Sequence, residues 1–129
     1  MALALTTDRP TYKIGDTVHV TITVTNLGNR TVTLGLPNPC SVVFLVFDTQ
    51  GEIVFNSTAY FGCVELWLDV TLAPGASEVV SAYRWTLVRN NDTPVPAPAT
   101  YRLVPMFFWG KLYQDSVVRT ETATISVNA

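Results

Sequence analysis

Thr17-Val18-His19-Val20-Thr21-Ile22-Thr23-Val24-Thr25 alternates polar and apolar residues without a slip. Val18, Val20, Ile22 and Val24 share one face, and Thr17, His19, Thr21, Thr23 and Thr25 share the other. A side-chain period of two belongs to a strand, so this is a strand with one buried face. β-Branched residues fill both faces, which suits a pleated surface. Tyr12-Lys13-Ile14-Gly15-Asp16 reads as a turn leading in, and Asn26-Leu27-Gly28-Asn29 as a turn leading out.

Outward from this strand the same grammar repeats. Ala2 to Thr7 alternates, with Leu3 and Leu5 on one side, and Pro10 ends it. Thr31 to Leu36 turns Val32, Leu34 and Leu36 inward before Pro37-Asn38-Pro39 breaks it. Ser41 to Phe47 is nearly all apolar, as a strand covered on both faces is. Asp48 to Gly51 is a hairpin turn into Glu52 to Asn56. Val64 to Leu72 alternates, and Ala73-Pro74-Gly75-Ala76 has the Pro-Gly order of a type II turn. Ser77 to Val88 reads as one long strand. Ala99 to Trp109 follows, with Pro105 requiring an edge, a bulge or a strand end nearby. Val117 to Val127 closes the chain. About eight or nine short strands with turn signals, and no helical period, predict an all-β domain over residues 1–129. An antiparallel immunoglobulin-like β-sandwich fits that length best.

The chain has 129 residues, 48% hydrophobic and 14% charged, with a formal net charge of −2. One such domain buries roughly two-thirds of its chain surface, enough for a two-sheet core. Six Arg and two Lys are spread without a basic stripe, so no nucleic-acid partner is expected. No apolar run reaches membrane-spanning length. Met1-Ala2-Leu3-Ala4-Leu5 lacks the basic start and long apolar core of a signal peptide, and reads as the start of a domain taken from a longer precursor.

Cys40 and Cys63 are the only cysteines, and both adjoin loop signals. Their pairing closes a loop of about 24 residues, worth roughly 3 kcal/mol by chain entropy. The alternative is two thiols in a reducing compartment. Sequons at Asn29, Asn56 and Asn91, many Thr and few Lys favour an extracellular or cell-surface setting and hence the disulfide.

Several pieces, in order, carry a resemblance. They are Tyr12-Lys13-Ile14-Gly15-Asp16-Thr17-Val18 with the alternation to Asn26, then Phe47-Asp48-Thr49-Gln50-Gly51-Glu52-Ile53-Val54-Phe55, then Leu72-Ala73-Pro74-Gly75-Ala76-Ser77, then Trp85. The last is Asp92-Thr93-Pro94-Val95-Pro96-Ala97-Pro98-Ala99-Thr100-Tyr101. Together they cover most of the chain and resemble the BsuPI family, the intracellular proteinase inhibitor domain of bacilli and its relatives. The resemblance implies an immunoglobulin-like sandwich, proteinase inhibition and, as the alternative setting, the cytoplasm. Pro98-Ala99 stands where the family has Gly, and the segments Ser57 to Asp69 and Met106 to Val117 are longer here.

Candidate chemistry is sparse. His19 is the single histidine, so neither a His pair for zinc nor a Ser-His-Asp triad can be assembled in the usual way. Ser57, Ser77 and Ser81 lack a nucleophile-elbow motif. The acids lie mostly in turns, where they cap backbone N–H groups. Asn91 and Asp92 are the best Ca²⁺ ligands on offer, without the density of an EF-hand. We therefore expect no catalytic residue, no metal and no cofactor. Phe107 to Tyr113 holds four aromatics, read as core covered on both faces, with an exposed docking patch as the alternative.

The expected activity is presentation of surfaces to a protein partner, either a protease or a neighbouring surface subunit. Prolines preorganise the loop Asn90 to Pro98 and lower the entropy cost of binding. Asn91, Asp92, Thr93, Pro94, Val95 and Pro96 are the candidate partner-binding residues. Pro37 to Cys40 is the second loop. The alternative is a structural module of a surface layer, stalk or filament, assembling through an edge strand such as Ala2 to Thr7.

Overall fold

A computed structural model describes residues 1–36, 41–61, 68–108 and 111–129. Eleven strands occur among them. These are β1 (Ala2–Thr7), β2 (Thr11–Lys13), β3 (Val18–Thr25), β4 (Val32–Leu36), β5 (Val42–Phe47), β6 (Ile53–Asn56), β7 (Leu68–Leu72), β8 (Ser77–Trp85), β9 (Ala99–Phe107), β10 (Arg119–Glu121) and β11 (Ala123–Asn128). They form a four-stranded sheet in the order β10-β1-β3-β8, a five-stranded sheet in the order β2-β11-β9-β5-β6, and the ribbon β4-β7. The chain is an all-β, immunoglobulin-like sandwich.

The β3 alternation decides the packing as expected. Val18, Val20, Ile22 and Val24 are buried and His19 is exposed. Leu3 and Leu5 of β1 join them, and Phe44, Val46, Leu103, Ile125 and Val127 face them from the other sheet. The ribbon β4-β7 continues the β3-β8 pair, since β3 leads into β4 and β7 leads into β8. The break between the two pairs is made at Asn26 and at the turn Ala73–Ala76. Gly75 has φ +78 and Ala76 N–H donates to Ala73 C=O at 3.0 Å, a type II turn as the Pro-Gly order requires.

Five expectations need correction. Thr11–Lys13 is a strand and not part of a turn; it pairs in parallel with β11, and Tyr12 is buried. The closing segment is two strands in different sheets: β10 pairs in parallel with β1, and β11 runs antiparallel to β9. These two changes take the strand count from eight or nine to eleven and add two parallel pairs to the antiparallel plan. A five-residue helix, α1 (Lys111–Asp115), replaces loop before them. β8 ends at Trp85, because Leu87 turns into the left-handed region at φ +61 and sinks into the core. β1 is flanked by β3 and, at Ala2–Ala4, by β10, so it is not an open edge there.

Pro105 sits inside β9, opposite Phe44. Phe44 N–H donates to Ser57 Oγ at 2.9 Å and so points away from β9. By the alternation of an antiparallel ladder, Pro105 then faces the β11 side, and β11 pairing stops at Leu103. The missing N–H falls where no ladder bond is made.

β1 begins beside Thr25, at the pole of Asn26, whereas β11 ends beside Lys13, at the opposite pole. The segment from Thr86 to Pro98 connects β8 to β9 at this second pole.

Candidate functional site

The segment after β8 is a small hairpin. Val95 N–H donates to Leu87 C=O at 3.0 Å, and Arg89 N–H to Thr93 C=O at 2.7 Å. Val88 and Pro94 form a bridge between them. Asp92 N–H returns to Arg89 C=O at 3.0 Å, and Asp92 itself adopts φ +66. Asn91 Oδ1 accepts the Thr93 N–H at 3.1 Å and the Thr93 hydroxyl at 2.6 Å, an Asx-type closure of the tip.

This turn is fastened to the sandwich at four points. Asn90 Oδ1 accepts the Asn56 N–H at 2.9 Å, and Asn90 Nδ2 donates to the Asn56 C=O at 2.8 Å. The side-chain amide thus pairs with edge strand β6 as another strand would. The Tyr60 hydroxyl donates to Asp92 Oδ1, and the Tyr101 hydroxyl donates to Pro96 C=O. The last contact joins the first residues of β9 to the chain just upstream, the tyrosine corner of immunoglobulin-like domains. Val95 is the fourth anchor, 2% exposed. The hydrogen bond to Asp92 raises the Tyr60 phenol above its ordinary pKa, and burial raises that of Tyr101.

Of the six residues singled out from sequence, Asn91, Asp92, Thr93, Pro94 and Pro96 are exposed. Val95 is not. It is a core residue, because the tip's two arms fold its side chain inward beside Leu87. The loop is therefore not wholly exposed, and the surface it offers is 91–94 with Pro96. Sequence reasoning also missed Asn90 and Tyr60, which hold this surface in place. A lone valine set between prolines was the one available signal for an anchor.

Beneath the tip lies a cluster of aromatic rings. Phe55 contacts Tyr60 at 5.2 Å, Trp85 at 5.4 Å and Phe44 at 5.6 Å between centroids, and Phe61 stacks on Tyr83 at 5.1 Å. Offset and edge contacts of this kind add to plain area burial. Trp85 Nε1 donates to Val88 C=O at 2.9 Å, which ties the base of the hairpin to this cluster. The Tyr83 hydroxyl and Ser81 Oγ both donate to Val42 C=O, linking the two sheets.

Other singled-out residues fall elsewhere. Phe107 is buried and contacts Tyr113 at 5.8 Å, while Phe108 is half exposed. Tyr60 and Phe61 pack on Phe55, and Phe61 also on Tyr83. Cys40, Cys63, Pro37 to Pro39 and Trp109 lie outside the described residues, so the expected disulfide is not among the described contacts. Asn91 Oδ1 and Asp92 Oδ1 are each engaged within the protein, and no group of three or more His, Cys, Asp or Glu that could hold a metal occurs among the described residues. No helix among them is long and apolar enough to cross a membrane.

No protein-family model matches the chain. No curated protein matches it either. Among solved structures, a β-glucosidase from Erythrobacter marinus is similar over 96% of this chain and 15% of its own, with 13% identity and a TM-score of 0.51. The CARDB domain of a Pyrococcus furiosus protein, in complex with di-metal ions, is similar over 98% of this chain and 91% of its own, with 16% identity and a TM-score of 0.49. A β-glucosidase from Listeria innocua in complex with glucose matches over 98% of this chain and 16% of its own, with 12% identity and a TM-score of 0.47. The chain spans only a small share of either glucosidase. At 13% identity the first of these likenesses is one of fold alone.

Proposed function

We propose that the protein is a non-catalytic binding module that presents the tip Asn91–Pro94 to a protein partner, with a protease as the sharpest candidate. The observation that carries this reading is the anchoring of the tip. Val95 plugs the core, and the Asn90 amide grips both backbone groups of Asn56. A tip fixed before binding loses little conformational freedom on binding. The four tip residues are nevertheless exposed. Functional loops on rigid scaffolds have this character. The resemblance to BsuPI-type inhibitors supports the choice of a protease. Titration of a subtilisin-type protease with the intact chain tests it. Saturable inhibition without consumption of the chain is expected, and full protease activity at high chain excess counts against it.

A structural module of a surface layer, stalk or filament is the second reading. It is favoured by the entry of β1 and the exit of β11 at opposite poles, which lets such sandwiches be strung end to end. Its edge would not be β1 at Ala2–Ala4, which β10 already occupies. Concentration-dependent assembly in size-exclusion chromatography is its test.

A further inference from the structure

We infer that the 89–94 turn engages a protease as a closed wedge and not as a substrate-like strand, a proposal that rests on the protease-binding reading above. A substrate-like inhibitor offers its protease an extended backbone, which pairs as an added strand. The backbone of this turn is the opposite of extended. Arg89 and Thr93 are joined at 2.7 Å, and Asp92 folds back on Arg89 at 3.0 Å. Asp92 at φ +66 lies in the left-handed region, outside the extended basin. Asn91 Oδ1 accepts from both donors of Thr93, its backbone N–H and its hydroxyl. Straightening residues 89–94 breaks all four of these bonds at once. It also works against the anchors on either side, the Asn90 grip on Asn56 and the buried Val95.

The peptide bonds leaving the tip point the same way. Thr93–Pro94, Val95–Pro96 and Ala97–Pro98 all place a proline nitrogen on the leaving side. That nitrogen carries no hydrogen, and the ring crowds the residue before it. A protease that seats the chain for cleavage meets a ring at every second bond. The turn resists opening, and the chain beyond it resists cutting. Both properties suit a loop that blocks access to a cleft without entering it as substrate.

The test uses subtilisin in two forms: active, and with its nucleophilic serine sulfonylated by phenylmethylsulfonyl fluoride. Binding of the intact chain to each is measured by calorimetry, and the chain is weighed by mass spectrometry after long incubation with the active form. The expected result is equal affinity for the two forms within about twofold, with the chain uncut. Pro94→Ala, which removes one protecting ring, is also expected to stay uncut between residues 89 and 96, because the turn itself withholds an extended backbone. A tenfold or greater loss of affinity for the sulfonylated form, or cutting of Pro94→Ala within this span, overturns the wedge and leaves protease binding standing. Binding to neither form removes both the wedge and the protease reading.

Discussion

Asn26 Nδ2 lies 3.0 Å from the carbonyl oxygen of Leu72, in a position only 3% exposed, and pins the ribbon β4-β7 to the end of the β3-β8 pair. The same nitrogen donates to Arg30 C=O at 2.7 Å, and Asn26 Oδ1 accepts the Gly28 N–H at 2.9 Å. Its backbone adds two more bonds, to Ala76 and from Gly75. One asparagine thus closes both chain breaks at this pole. Asn26→Ala leaves buried groups without partners, at about 1–3 kcal/mol for each unsatisfied group. A loss of about 2–4 kcal/mol in urea unfolding is expected by that figure. Asn26→Asp keeps the acceptor but lacks the two donors, so it is expected to be no better tolerated.

Ile22 is fully buried at the centre of β3. Ile22→Ala is expected to cost about 2–5 kcal/mol by lost transfer and cavity formation. Thr21→Ala, on the opposite face of the same strand, is expected to cost far less. Equal costs at the two positions in the same urea titration would contradict the face assignment.

That assignment was legible because nine consecutive residues, Thr17 to Thr25, repeat one rule. Shorter elements had no such redundancy. Thr11–Lys13 is three residues long between Pro10 and a glycine turn, and its pairing with β11 depends on a partner more than a hundred positions away. The sheet switch near Thr122 is equally silent, because Arg119 to Thr122 are all polar and offer no apolar alternation that could mark a face or its change. Asn26 read as an ordinary turn residue, since its partner Leu72 is 46 positions away and Ala76 lies further still. At the candidate site, prolines and polar residues marked an exposed stiff loop. Its fastening by Asn90, Tyr60 and Val95 is tertiary, and no local pattern encodes it.

Val95 separates the surface of the loop from its anchor. Val95→Ala is expected to destabilise the fold by about 1–3 kcal/mol, in the range of a buried aliphatic truncation. Substitution of exposed Pro94 by Ala is expected to fall within about 1 kcal/mol, the scale of a proline's unfolded-state effect. Chemical unfolding of the two variants side by side checks the contrast.

Asp8 accepts the Tyr12 hydroxyl at 2.6 Å and the His19 N–H at 3.0 Å. The Tyr12 hydrogen bond is the main cause that holds the Asp8 carboxyl below its ordinary pKa. A group lowered in the folded state binds its proton more weakly there than in the unfolded chain. Its contribution is therefore complete above the unfolded value, about 3.9, and is lost as pH falls through the folded value. Asp8 is largely exposed, so solvent screening keeps this effect small. The urea midpoint is expected to fall between pH 5 and 2, and to fall less steeply in Tyr12→Phe, with the difference confined to that window.

Cys40 and Cys63 are expected to be paired. Mass spectrometry of protein prepared under oxidising conditions, without reductant, should find a mass two hydrogens below that of the dithiol. Reduction is then expected to remove about 3 kcal/mol and lower the melting temperature by several degrees or more. Two alkylatable thiols in the unreduced protein would contradict the pairing.

The most direct measurement compares protease binding by the intact chain with binding by a variant whose tip, Asn91 to Pro94, is replaced by Gly-Ser-Gly-Ser. Asn90 and Val95 are kept, because one grips Asn56 and the other fills the core. The expected result is a melting temperature within a few degrees of the intact chain, together with affinity for subtilisin reduced more than tenfold, beyond about 1.4 kcal/mol. Unchanged affinity with an intact fold would contradict a binding role for this tip.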